Sequence, residues 1–157
     1  MDQFADGMIA RGPTLGADRD TWTGSLHILE LPSADAAREF IEREPYNRAG
    51  MFADHVIRRF RNRLGRTMWE APSDPTEPRF FVIAHLRPST PNDPPPAIPQ
   101  ERLIVHGDLL TPDDAMPAGF ALALQAPTRE AVSHLVSTGL DERFDVEILD
   151  WEFGGRR

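Results

Sequence analysis

Cysteine and lysine are both absent from this chain of 157 residues. Without cysteine there is no disulfide framework, no thiolate nucleophile and no sulfur-ligated metal site. Without lysine there is no Schiff-base chemistry and no P-loop lysine for a phosphate; all 17 basic residues are arginines, and any anion contact falls to a guanidinium. Long apolar runs are missing as well. None approaches the ~18 residues of a membrane span, and "MDQFADGMIARGPTL" has neither the basic start nor the apolar core of a signal peptide. The expectation is a soluble, cytoplasmic protein with no membrane partner. A formal charge of −8 repels a phosphate backbone and speaks against a nucleic-acid partner. His55, His85, His106 and His134 show no HxH or HxxxH spacing, so neither a metal nor a cofactor is expected.

What is present is ordinary globular usage, 40% hydrophobic and 27% charged, arranged twice. At an offset of 95 residues "MIARGPTL" (8–15) falls on "LIVHGDLL" (103–110), and "TGSLHILELPSADAA" (23–37) falls on "AGFALALQAPTREAV" (118–132). Ile9/Ile104, Gly12/Gly107, Leu15/Leu110, Asp18/Asp113, Gly24/Gly119, Leu29/Leu124, Pro32/Pro127 and Ala36/Ala131 are identical without a gap, where chance gives about two matches. Each copy reads as a strand, a polar loop, a second strand (24–31 or 119–126) and a helix capped by Ser33 or Thr128. The helix buries one stripe, Ala36, Ala37, Phe40 and Ile41 in the first copy and Ala131, Val132, Leu135 and Val136 in the second. Beyond the helix "DHVIRRF" (54–60) matches "DVEILDW" (145–151) at an offset of 91, so the second copy is four residues shorter at the joint. The first copy has "EPYNRAGMFA" (44–53) there and the second only "GLDERF" (139–144).

The second copy is preceded by a strand, "RFFVIAHL" (79–86), and a proline-rich connection, 87–100. The first copy has no such opening strand, because the chain starts inside the unit. The predicted fold is α+β: two tandem ferredoxin-like units with antiparallel sheets, residues 1–69 and 79–157, joined by a linker over 70–78 and packed as a pseudo-dimer. An unpaired strand edge is adhesive, which predicts a homo-oligomer or the 79–86 strand covering the first unit's edge.

At "RGPTL", "TGSLHILEL" and "EPYNRAG" the first half resembles the YCII-related family, whose fold is a dimeric α/β barrel of ferredoxin-like units. The resemblance covers residues 3–61 well and reaches 79–153 only through the repeat. It implies a small-molecule pocket between sheet and helices, with a histidine–aspartate pair for acid/base work; one branch removes chloride from a hydroxylated aromatic ring. Glu44 stands where the family has its aspartate, followed by matching Pro45 and Tyr46. The family's helix histidine has no counterpart, "MDQFADG" reading as the tail of that helix.

Each candidate has two readings. Glu44 is a general base in a concave joint, or a solvated acid at a helix end stopped by Pro45. Tyr46 offers its hydroxyl to a substrate or only packs its ring. Ser25, His27 and Leu29 share one strand face, where the second copy has Phe120, Leu122 and Leu124. His27 and Ser25 there mark a pocket in the first copy alone, or His27 is a hydrogen-bonded core residue. Arg11 meets an anionic substrate or carries a surface charge. "RRFRNRLGR" (58–66) puts Arg59, Arg61 and Arg63 on one side of a strand, a wet face or a surface that pairs with the acidic remainder. The expected activity is lyase- or dehalogenase-like acid/base chemistry on a small aromatic or anionic molecule, with Glu44 and His27 catalytic and Ser25, Tyr46 and Arg11 binding. The alternative is a noncatalytic ligand-binding or assembly module of the same fold.

Overall fold

The computed structural model describes Phe4 and residues 6–88, 98–113, 115–137 and 142–154. In chain order the elements are β1 (Met8–Leu15), β2 (Trp22–Leu29), α1 (Ala34–Arg43), the single turn α2 (Pro45–Arg48), β3 (Arg59–Asn62), β4 (Arg79–Leu86), β5 (Leu103–Leu110), β6 (Pro117–Gln125), α3 (Arg129–Ser137) and β7 (Phe144–Trp151). All seven strands join one antiparallel sheet in the order β2-β1-β7-β4-β6-β5-β3, curled into a nearly closed barrel. The fold is therefore mixed α+β, with few helices. No helix among the described residues is long and apolar enough to cross a membrane.

Alternation along the strands builds two cores. On β4, Phe81 points into a cluster with Ala10, Ile28, Met68, Val105, Ala121, Ala123 and Trp151, drawn from both halves. Its neighbours Phe80, Val82 and Ala84 point the other way, toward Phe120, Leu122, Leu124 and the α3 residues Val132 and Val136. Both helices start as the sequence predicts, Ser33 Oγ accepting from Ala36 N at 3.1 Å and Thr128 Oγ1 from Ala131 N at 3.2 Å. Asp35 in the first turn of α1 and Arg43 in its last complement the helix dipole. Phe40 is the buried residue of the α1 stripe, with Ile41 half-buried beside it.

The two hairpins share one register. β1 and β2 pair Ala10↔Ile28, Arg11↔His27, Gly12↔Leu26 and Pro13↔Ser25, while β5 and β6 pair Val105↔Ala123, His106↔Leu122, Gly107↔Ala121 and Asp108↔Phe120, each the former plus 95. The register irregularities recur too, between Met8 and Ala10 and between Leu103 and Val105. The ladders that cross between the halves match in the same way. Thr14↔Trp151 and Leu15↔Asp150 join β1 to β7; Leu109↔Phe60 and Leu110↔Arg59 join β5 to β3. Repeated Gly12 and Gly107 mark these crossings, since a Cβ at either would overlap a carbonyl oxygen of the crossing chain, Glu152 or Arg61.

Two expectations change. β4 lies between β6 and β7, so it covers no edge of the first half. The strand expected over 54–60 begins only at Arg59, because β3 has β5 beside it, whereas nothing among the described residues flanks 53–58 as β4 flanks β7. Segment 70–78 is tied down: Ala71 is buried, and the Gln125 side chain accepts from Asp74 N at 2.9 Å. The arginine strip is neutralised in part by Asp108, 2.7 Å from Arg63 and 3.8 Å from Arg61. Asp150, buried on β7, is held by Arg19 and Arg129, which fastens the first-half loop and α3 to one carboxylate. The start of the helix tail "MDQFADG", most of the proline-rich connection and half of the second joint 139–144 lie outside the described residues.

Candidate functional site

Where α1 ends, the chain turns at Glu44, and that turn hangs over the helix-facing side of β1 and β2. Glu44 ends one helix and starts the next. Its N–H donates to Ile41 O at 3.2 Å, and its carboxylate accepts from Asn47 N at 2.7 Å, with Pro45 at the first position of α2 where no donor is needed. The side chain is not a solvated acid: Glu44 is 5% exposed. Asn47 adds a second tie from its Nδ2 to Ile41 O at 3.0 Å. Gly50, with φ of +69°, then turns the chain back toward the strands.

Between this joint and the strands lies a cleft of about 360 Å³. All five residues singled out in the sequence, Arg11, Ser25, His27, Glu44 and Tyr46, line it. Arg11 and His27 are directly opposed across the β1–β2 ladder, so their side chains leave the sheet on the same side. Arg11 Nε donates to Gly154 O at 2.9 Å, which brings the segment after β7 against the cleft. His27 lies beneath α1, its ring 5.2 Å from that of Phe40. Its nitrogens have no hydrogen-bond partner among the described residues. No hydrogen bond links His27 to Glu44; the two communicate by charge. Burial pushes the imidazole below its ordinary pKa of 6.5, Glu44 opposes this and Arg11 reinforces it.

Among the further lining residues, which were not read from the sequence as site residues, are Trp22, Met51, Phe52 and Gly154. Trp22 is 62% exposed, Met51 64% and Tyr46 44%. Tyr46 meets Trp22 edge-on at 6.3 Å and Phe52 at 6.5 Å, forming an aromatic arc at the mouth of the cleft. Solvent-exposed apolar groups gathered at one opening are the usual mark of a binding rim. "TWTGS" held a signal for Trp22, a large aromatic beside a repeated glycine; nothing in the sequence pointed to Gly154. Among the described residues no cluster of histidine and carboxylate side chains is arranged to hold a metal.

The matching place in the second half is filled. Phe120, Leu122 and Leu124, the counterparts of Ser25, His27 and Leu29, are all buried, and the Phe120 ring packs on that of Phe144 at 5.4 Å.

Residues 2–61 match the family model of the YCII-related domain. Over these residues the chain carries a YCII-related domain. The YCII-related segment thus contains every cleft residue except Gly154. Neither a curated protein nor a solved structure matches the chain.

Glu44→Ala should lower stability by about 1 kcal/mol through loss of the α2 cap, whereas Glu44→Gln, which keeps an acceptor, should stay within about 0.5 kcal/mol. Urea unfolding of the two variants checks this; equal midpoints would mean that the bond to Asn47 contributes nothing.

Proposed function

We propose that the cleft binds a small, planar aromatic molecule carrying a hydroxyl or carboxyl group, and that His27 and Glu44 act on it as an acid/base pair. The observation that carries this reading is His27 itself: an imidazole without a protein hydrogen-bond partner among the described residues, between a buried carboxylate and an arginine, where the second half has Leu122. Burial keeps the ring neutral near pH 7, so it accepts a proton from the substrate; the Glu44 carboxylate favours the imidazolium that results. Arg11 meets negative charge as it develops, and Trp22, Tyr46 and Phe52 hold the ring. Proton removal followed by departure of an anionic group, as in a lyase or dehalogenase, is the reaction class this set serves. We place the cleft in a first ferredoxin-like unit that is paired with a second, degenerate one. What supports the tandem is the shared register of the hairpins and of the crossing ladders.

A second reading, a noncatalytic ligand-binding or assembly module, is favoured by one observation: the Glu44 carboxylate is already engaged by Asn47. The two separate in one experiment, NMR titration of the His27 ring with phenol and benzoate probes. His27 should titrate below 6.5, lower still in Glu44→Gln and higher in Arg11→Gln. Because folding depresses this pKa, its contribution to stability is full above about pH 6.5 and is lost as pH falls through the folded value. Probes should shift the His27 and Trp22 resonances. Among the aromatic compounds that bind, a Glu44→Gln chain that still binds but no longer turns over supports the acid/base reading, and turnover absent from both chains supports the binding module. Probe shifts confined to the second half would sink both.

A further inference from the structure

Each half sends the continuation of its last strand across to the hairpin of the other, β7 onto β1 and β3 onto β5. Beyond β7, Glu152 N donates to Pro13 O at 3.2 Å and Gly154 N to Arg11 O at 2.9 Å. Moved by the offsets of 91 and 95, the second of these bonds becomes Arg63 N to Arg11's counterpart, His106, and that bond to His106 O is present at 2.8 Å. The two backbone crossings are therefore alike, and the chemistry placed at them is not. In the second half the crossing residue is Arg63, whose side chain pairs with Asp108 at 2.7 Å. In the first half the arginine stands on the strand instead, and the crossing residue is Gly154, whose carbonyl oxygen accepts from Arg11 Nε at 2.9 Å. The fit there is close: a Cβ at Gly154 would stand 2.6 Å from Gly12 Cα, so a side chain would push this carbonyl away from β1. The segment is anchored away from the cleft. Phe153 packs against the barrel core, its ring 5.3 Å from that of Trp151 and 4.4 Å from the Arg79 guanidinium, both of the second half.

We propose that the second half serves the cleft of the first: the Gly154 carbonyl, fastened in place by Phe153, holds the Arg11 guanidinium where the anionic group of a ligand arrives. The proposal rests on the reading of the cleft given above and names what orients its cation. An arginine side chain loses much rotamer freedom when it is ordered. A guanidinium already held by a backbone acceptor loses less of it when the ligand binds, so the affinity gained per contact is larger. Gly154 is thus a positioning residue that acts through Arg11, and Phe153 acts through Gly154. The arrangement also gives the second half a task that it keeps although Phe120 and Leu122 fill its own counterpart of the cleft. Coupling of this kind is reciprocal: a ligand that favours the held form of Arg11 must tighten the crossing at Gly154 by the same factor.

The test reads the His27 ring by NMR in the whole chain, because its titration responds to the charges of Glu44 and Arg11 and so reports where the guanidinium lies. Without ligand, Phe153→Ala should raise the His27 pKa toward that of Arg11→Gln, since a guanidinium released from Gly154 moves off the imidazole. Gly154→Ala, which displaces the carbonyl and spares the anchor, should do the same, and Phe153→Leu, which keeps an apolar anchor, should match the parent. In an Arg11→Gln chain Phe153→Ala should change nothing. With benzoate as the probe, Arg11→Gln and Phe153→Ala should each weaken binding about tenfold and the double variant no further. Exchange of the Gly154 amide hydrogen should slow about tenfold when benzoate binds the parent. An unchanged His27 pKa in Phe153→Ala, a rise of equal size with and without Arg11, or losses of affinity that multiply to about 100-fold in the double variant would each overturn the proposal. Benzoate that binds no chain would defeat the reading of the cleft as a binding site, and the His27 titrations would still decide whether Gly154 holds Arg11.

Discussion

Gly12→Ala should destabilise the chain by about 3 kcal/mol, and Gly107→Ala by a similar amount. A Cβ at Gly12 would stand 1.7 Å from Glu152 O, and one at Gly107 would stand 2.4 Å from Arg61 O and from the Phe60 ring. Both carbonyl oxygens are backbone atoms that cannot swing aside. The first belongs to the segment that crosses from β7 onto β1, through Glu152 N to Pro13 O at 3.2 Å and Gly154 N to Arg11 O at 2.9 Å. To admit a methyl group the crossing chain must lift, and those bonds with it. Gly65 is the control: it has φ of +63° but open space around it, so Gly65→Ala should cost only about 1 kcal/mol. Urea midpoints of the three variants decide the matter. A Gly12→Ala midpoint no lower than that of Gly65→Ala would mean that 152–154 does not lie across β1, and Gly154 would then leave the cleft.

These glycines also show how far the sequence could be read. Their recurrence at one offset was visible, as were the bounds of β1, β4 and β5 and the caps at Ser33 and Thr128, because apolar alternation and capping are local signals. Their cause was not, since it lies in contacts with residues far along the chain, Glu152 for Gly12 and Arg61 for Gly107. Residues 54–60 have the composition of a strand and stay irregular through Arg58, because a strand is made by its neighbours as much as by its own residues. The cleft was legible to the extent that it departs from the repeat: His27 against Leu122, Ser25 against Phe120, and a joint longer by four residues. Its rim was not. Trp22, Met51 and Phe52 meet only once Gly50 has turned the chain, and Glu44 reads as a surface acid until Asn47 and the strands enclose it.

The same departure supplies the second large effect, the conversion of the first half into a copy of the second. Ser25→Phe with His27→Leu restores the residues found at Phe120 and Leu122, which fill the space between sheet and helix. The double variant should lose affinity for any aromatic probe that binds the parent chain by more than about 100-fold, near 2.7 kcal/mol, because the leucine and the phenyl ring would occupy the cleft beneath Tyr46. Stability should move the other way. An imidazole whose nitrogens have no partner among the described residues is replaced by an apolar side chain against Phe40, worth about 1 kcal/mol, and the loss of stability on acidification through the His27 titration should disappear with it. Opposed changes in binding and stability distinguish a site kept for function from a core position that merely tolerates histidine. Calorimetric titration and urea unfolding on one preparation measure both. A double variant that is less stable than the parent and still binds would mean that the ligand rests on the rim alone, with His27 a core residue beneath it.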